Sequence, residues 1–303
     1  MPADPKDVMT PSELFISNYE ASTGGSGVFT LSQWSVVRLY GEDRTIFLHN
    51  MCTNEIKALP SGKCCEAFFT DVKGKILAHA IVLIFDEYLE LLTVPGQAEG
   101  IIAHLERYII REDVKLEDQS DKICWSLVFG KQSEKINNSS QLAFPTNMLE
   151  TPSYLVPASA EEIAKGSGDS CVLIEESIWN TLRIEASYPF FGVDFDSANL
   201  PQEIARDELA IHFNKGCYLG QETVARIDAL GHVNRQLCRL KFASGDIPEL
   251  GTKLMVDDQE NGIVTSCCWS PGYEGPLALA MMRRGGNSVG CELNSAHGKA
   301  PSI

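Results

Sequence analysis

The chain holds 303 residues, 44% of them hydrophobic, enough for two domains or one large domain with an appendage. Asp and Glu outnumber Lys and Arg 41 to 25, for a net charge of −16. A field of that sign repels nucleic-acid phosphates and anionic membrane surfaces, so neither is expected as a partner. No run reaches the roughly 18 apolar residues of a membrane span, and Met1 to Asn18 is polar and acidic, unlike a secretory signal. The ten cysteines include the adjacent pairs Cys64-Cys65 and Cys267-Cys268, which lack the spacing of zinc knuckles. Reduced thiols in a cytoplasm-like compartment are expected, with an organelle matrix as the alternative if an Arg- and Ser-rich transit segment has been removed.

In chain order, residues 1–27 end in Ser22-Thr23-Gly24-Gly25-Ser26-Gly27, which predicts a flexible N-terminal segment. Val28 to Tyr40 is strand-like, and Gly41-Glu42-Asp43 opens a helix carrying Ile46, Phe47, Leu48 and Met51. Cys64 to Thr70 and Ile76 to Phe85 flank the turn Asp71-Val72-Lys73-Gly74, a hairpin signal. Tyr88 to Val94 reads as a strand, Gln97 to Ile110 as a helix, and Val114 starts another strand. Gly130 to Pro157, rich in Ser, Asn and Pro, predicts a long loop or insertion. Glu175 to Ala186 is a helix, and residues from about 233 onward read as a small all-β domain with a frayed tail beyond Cys291. The mixture is α+β, divided as 1–27, 28–232 and 233–303.

Two places carry chemistry. In Lys215-Gly216-Cys217-Tyr218-Leu219-Gly220-Gln221-Glu222, a thiol lies between two glycines beside a lysine. A neighbouring ammonium favours the reactive thiolate, and Lys215 and Arg226 are available for that, with Glu222 to position either. Nucleophile, redox thiol, metal ligand and structural residue all remain open for Cys217, and Gln221 and Glu222 equally suit a helix start. The second place is Glu185, seven residues after Ile178 and three after Leu182, hence on an apolar helix face where an unpaired charge is costly. Either Arg183 or Arg226 pairs with it, or it accepts two adjacent N–H donors of a ligand such as the 2-amino-pyrimidinone edge of a pterin. Thr53-Asn54-Glu55 ends the first helix, where Asn is a common terminator. His79, flanked by Ala78 and Ala80 in a strand, is either a structural group or an acid–base group; His212 is a weaker candidate.

The octapeptide resembles the signature of the YgfZ/IBA57 family of folate-binding proteins of iron–sulfur cluster assembly and repair, relatives of the glycine-cleavage aminomethyltransferase or T-protein. Leu182-Arg183-Ile184-Glu185-Ala186, Phe47 to Ile56 and Gly262-Ile263-Val264-Thr265-Ser266 with Ser270-Pro271 extend that resemblance over most of the chain. It implies a T-protein-like, multi-lobed ring around a channel that holds tetrahydrofolate, followed by a small C-terminal β-barrel. Glu185 would grip the pterin. Asn54, Tyr108, Tyr218, Gln221, Glu222 and Arg226 would line the folate side, and Cys217, Lys215 and His79 would carry the chemistry. The implied partners are a folate and, transiently, iron–sulfur client or assembly proteins, with the chain a monomer. The T-protein assigns aminomethyl transfer to an aspartate where this chain has Ala78-His79, and alanine cannot move a proton. Glycine cleavage is therefore not expected, and catalytic turnover is left open, with a folate-dependent one-carbon transferase as the rival reading. One thiol cannot hold a stable cluster, which takes about four ligands, so no resident metal is expected.

Overall fold

The computed structural model describes residues 12–134, 142–167, 171–242, 246–256, 259–285, 292–295 and 298–301. Helix α1 (Glu13–Gly24) begins at Ser12, whose hydroxyl accepts from the Phe15 N–H at 3.2 Å. From Ser12 on it overturns the flexibility expected of residues 1–27, whose first eleven lie outside the described residues: Phe15 and Tyr19 pack against a buried cluster, which outweighs the weak propensity of the Ser-Thr-Gly run. Strands β1 (Gly27–Thr30) and β2 (Ser35–Tyr40) follow, so the strand expected from Val28 to Tyr40 is broken at Leu31 to Trp34. Helix α2 (Arg44–Met51) leads to β3 (Cys64–Thr70), β4 (Ile76–Ile84) and β5 (Leu89–Thr93), then helix α3 (Ala98–Glu106) and β6 (Lys115–Asp118). The β3–β4 turn forms as its sequence predicts, with the Asp71 carboxylate accepting from the Lys73 and Lys75 N–H groups at 2.8 Å each.

Strands β3 to β6 and β2 form one antiparallel sheet in the order β3-β4-β5-β2-β6. Its central strands are covered on both faces. Ala80, Val82 and Ile84 face Phe47, Leu48 and Leu105 of α2 and α3, whereas Ile81 and Leu83 face the opposite cluster with Trp125, Phe129 and Leu182. Double coverage explains why Ile76 to Ile84 is apolar almost without interruption.

The second sheet comes from β7 (Ser126–Phe129), β8 (Phe144–Thr146), β9 (Ser153–Val156) and, after helix α4 (Ala160–Ser167), β10 (Val172–Leu173). Its order is β10-β1-β7-β9-β8. The stretch read as a loop from Gly130 to Pro157 thus supplies two strands: Phe144 and Leu155 point into the core between Ser- and Pro-rich neighbours that hid them.

Helix α5 (Glu176–Glu185), a 3₁₀ turn (Pro201–Ile204), the single-turn helix α6 (Asp207–Ala210) and helix α7 (Gln221–Leu230) lead to the third sheet. That sheet is antiparallel and built from β11 (Arg235–Lys241), β12 (Lys253–Val256), β13 (Gln259–Ser270), β14 (Gly275–Arg283), β15 (Glu292–Ser295) and β16 (Gly298–Pro301), in the order β11-β14-β13-β12-β15-β16. Its edge strands β11 and β16 lie against one another. The tail is therefore paired strand rather than frayed, although His297 falls outside the described residues.

A buried ion pair fixes α5 to β13. The Arg183 guanidinium donates to Asp194 at 3.0 Å and to the Ser266 hydroxyl at 2.8 Å, and Asp194 also accepts from Ser266 at 2.6 Å and Thr265 at 2.8 Å. Removing one partner strands the other charge in the core. Asp194→Ala should therefore lower unfolding free energy by about 3–5 kcal/mol in urea titration; a loss below about 1 kcal/mol would show that water rehydrates Arg183.

Candidate functional site

The octapeptide is held on both sides of its exposed pair Gly216-Cys217, by Lys215 before it and by Tyr218, Leu219 and Gly220 after it. Lys215 is 7% exposed, and its ammonium donates to the carbonyls of His49 at 2.6 Å, Cys52 at 2.8 Å and Asn54 at 2.5 Å. These are the carbonyls at and beyond the C-terminal end of α2, where a cation complements the helix dipole. Burial lowers the Lys215 pKa, and the buried thiols of Cys52 and Cys65 with Glu55 oppose that shift. The ammonium is committed to backbone, which corrects the expectation that it serves the Cys217 thiolate. Tyr218 is 9% exposed, packed with Phe68, Ile211 and Val224, and its ring lies 5.2 Å from the Lys215 nitrogen. The Leu219 N–H donates to the Asn50 carbonyl at 3.0 Å, and the Leu219 carbonyl accepts from the Thr70 hydroxyl at 2.6 Å.

Gly220 closes the segment with φ +82°, and a Cβ there would lie 2.5 Å from the Asp71 carbonyl oxygen and 3.0 Å from the Gly74 Cα. Two turns meet glycine to glycine. Gly216 differs: its φ is not positive, and the nearest atom to a Cβ would be 3.9 Å away. Between these anchors Gly216 and Cys217 are exposed.

The remaining thiols contrast with Cys217. Of the nine described cysteines, only Cys124 and Cys217 are exposed. Burial pushes Cys64 and Cys268 up to about 12 and Cys171 to about 11, and raises Cys52 and Cys65. At neutral pH those are protonated and unreactive.

Glu185, at the end of α5, is 6% exposed. Neither arginine pairs with it: Arg183 is engaged by Asp194, and Arg226 is exposed on α7. Its Oε2 accepts from the Tyr19 hydroxyl at 2.9 Å and its Oε1 from the Ser270 hydroxyl. Burial raises its pKa, partly offset by those two hydrogen bonds and by a third from the Gly272 backbone N–H. Tyr19 and Ser270 escaped the sequence reading. Ser270 had a signal in the Ser270-Pro271 dipeptide, whereas Tyr19, 166 residues away, had none.

His79 on β4 is 4% exposed and stands 2.7 Å from the Oε1 of Glu66 on β3. Glu66 also accepts from the Arg206 guanidinium, with Nη2 at 2.6 Å from Oε2. Although burial opposes it, Arg206 and His79 together hold the Glu66 carboxyl down at about 2. Phe68 stacks on the imidazole at 4.9 Å, and Tyr188 and Phe195 pack against it at 5.7 and 5.8 Å. Glu66 and Arg206 were not foreseen. A buried acid in an apolar strand was the available signal for Glu66.

The other expected residues are dispersed. Asn54 donates to the Glu66 carbonyl at 2.7 Å and the Leu209 carbonyl at 2.8 Å, and accepts from the Glu55 N–H at 2.8 Å, so its amide is fully used in bracing α6 against β3. Tyr108 lines a separate 400 Å³ cleft with Ile46, Asn50 and Arg111. Gln221 and Glu222 form the first turn of α7, with Glu222 and Arg226 exposed; His212 is also exposed.

Comparison with known proteins places this geometry. The model of the GCVT N-terminal domain matches residues 10–144. A chloroplastic protein of Arabidopsis thaliana, named as a transferase, is 25% identical over 297 residues, covering 89% of this chain and 68% of its own. The tRNA-modifying protein YgfZ of Yersinia enterocolitica is 25% identical over 249 residues, 75% of this chain and 74% of its own. Its counterpart in Colwellia psychrerythraea is 24% identical over 244 residues, 72% and 74% respectively. The glycine cleavage system aminomethyltransferase T of Bartonella henselae superimposes with a TM-score of 0.82 over 95% of this chain and 88% of its own at 17% identity, a likeness of fold.

Gly220→Ala should cost at least about 2 kcal/mol in denaturant unfolding, through positive φ and the clash with Asp71, while Gly216→Ala should cost under about 0.5 kcal/mol. Equal costs would refute the glycine-to-glycine contact. Because the folded Glu66 pKa lies below its ordinary 4.5, its contribution to stability is present above pH 4.5 and is lost as pH falls towards 2. Glu66→Gln should flatten that limb of the stability curve, measured by thermal unfolding across the acid range.

Proposed function

We propose that this chain, which is similar to the GCVT N-terminal domain over residues 10–144 and to YgfZ at 25% identity, is a folate-binding protein supporting the assembly or repair of iron–sulfur enzymes through tetrahydrofolate and Cys217. The observation that carries this reading is the exposure of Cys217 between two buried, tethered neighbours, Lys215 and Tyr218. A thiol displayed from a braced turn suits transient exchange with a partner protein, serving as a redox group or as a passing ligand to iron or sulfur. The net charge of −16 favours small-molecule and protein partners over nucleic acid.

The residues fit a reduced folate at Glu185. A carboxylate offers about four acceptor positions; Tyr19 and Ser270 use one on each oxygen and the Gly272 backbone N–H takes a third, so the paired N–H donors of a pterin would take the remaining one and displace one of these partners. The bound folate would supply a one-carbon carrier. What this chain contributes is the buried acceptor, fixed in direction by those two hydroxyls and by the Arg183–Asp194 tie on the same helix. Division into a folate-binding body over 28–232 and a β unit from 233 belongs to the same proposal. So does residence in a bacterial cytoplasm or an organelle matrix, with which a chloroplastic Arabidopsis relative and bacterial YgfZ relatives are compatible; no described helix is long and apolar enough to cross a membrane.

One contact favours the rival one-carbon transferase, the 2.7 Å approach of His79 to Glu66. A carboxylate held at about 2 and bound by a guanidinium is a poor base, however. The pair serves the packing of the β3–β4 hairpin better than proton transfer.

Calorimetric titration with 5-formyl-tetrahydrofolate should show binding to the wild type and at least about tenfold weaker binding to Glu185→Ala; equal affinities would remove Glu185 from the site. In a strain deleted for this protein, Cys217→Ala should fail to restore aconitase-type activity while retaining folate affinity. Full restoration would overturn the role of the thiol.

A further inference from the structure

A second cleft lies at the C-terminal end of α7, and none of the octapeptide residues lines it. Its volume is 540 Å³, the size of a small-molecule site. Gln202 of the 3₁₀ turn, Asp207 of α6, Ile227 and Asp228 of α7, Val233 and Arg284 line it. None of the groups that surround Glu185 takes part.

Two acceptors in this cleft are unmet. Gln202 is 5% exposed, and its amide nitrogen donates to the Val224 carbonyl at 2.7 Å, which fixes the direction of the amide and leaves Oε1 without a partner. The Oδ1 of Asp207 is likewise buried without a partner. A buried acceptor without a donor costs about 1–3 kcal/mol, and two along one cleft point to donors that arrive from outside. Asp207 also carries an electrostatic load: burial first, then Asp228 and Glu208, push its carboxyl up to about 6. The Arg284 guanidinium lines the same cleft but is not among the groups that act on Asp207; a positive charge placed at Asp207 itself would offset all three. Among the described residues no group of three or more His, Cys, Asp or Glu is placed to hold a metal ion, so the fitting charge is organic. Ile227 and Val233 give such a ligand an apolar wall.

We propose that this cleft is a binding site for a small organic cation whose amidinium or ammonium N–H groups are accepted by Asp207 and Gln202, with Asp228 adding charge. The site is independent of the folate reading and stands if that reading falls. Benzamidine is the probe, because its planar fork of donors suits a carboxylate and its ring suits the apolar wall. Titrated into the isotope-labelled full chain near neutral pH, it should give saturable amide shifts at Gln202, Asp207, Ile227 and Gly231. Asp207→Asn should weaken binding about tenfold or more, and Glu185→Ala should leave it unchanged. Neutral benzamide should not bind. Loss of the Asp207–Asp228 repulsion should let Asp207→Asn melt no lower than wild type; if it does not fold, Asp228→Asn carries the same comparison with a severalfold loss. Shifts that fail to saturate, or equal affinity in Asp207→Asn or for benzamide, would overturn the assignment.

Discussion

Three carbonyl oxygens converge on one ammonium at the end of the Arg44–Met51 helix, and much of the candidate site depends on that convergence. A helix end buried without donors would be unstable. Here the donor comes from the segment that presents the exposed thiol. The same lysine thus finishes a helix and positions a loop, and neither task can be changed alone. Arginine would be a poor replacement, because its planar fork cannot direct three donors at a point as an ammonium can.

The hairpin beneath that loop carries a rearranged charge. Ala78-His79 takes the place where the T-protein resemblance would put an acid, yet a carboxylate is present nearby, on the paired strand at Glu66. In the ladder Phe68 faces His79 and Ala67 faces Ala80, so Glu66 reaches the imidazole diagonally across the sheet. Arg206 then neutralises it, and three aromatic rings pack around the imidazole. A buried charge network of this kind specifies how the hairpin meets the loop after the Pro201–Ile204 turn, and its energy lies in fixing that meeting rather than in moving protons.

Local signals were readable from the sequence and distant ones were not. The β3–β4 hairpin, the Ile76–Ile84 strand and the Glu176–Glu185 helix follow from period, turn chemistry and apolar content. Glu185 could be placed on a buried face by counting along its helix. Its partners could not, because Tyr19 and Ser270 are brought to it only by tertiary packing. Lys215 looked like a neighbour for a thiol because sequence adjacency suggested it; the chain turns so that its ammonium points to α2 instead. Phe144 and Leu155 were overlooked for a related reason, as short strands between polar turns carry too few residues to show a period. The first helix was hidden by its Ser-Thr-Gly end, although its stability comes from two aromatic rings that the rest of the fold covers.

Glu185 takes one hydrogen bond from residue 19 and another from residue 270. Its helix therefore waits for segments 166 residues before it and 85 residues after it. During synthesis Tyr19 has long left the ribosome before Glu185 appears, while Ser270 follows 85 residues later. Loops this long close slowly, and a carboxylate with only its first partner would remain open to water. The surroundings of Glu185 are thus completed only when both distant segments have docked, and its two hydrogen bonds report that they have met.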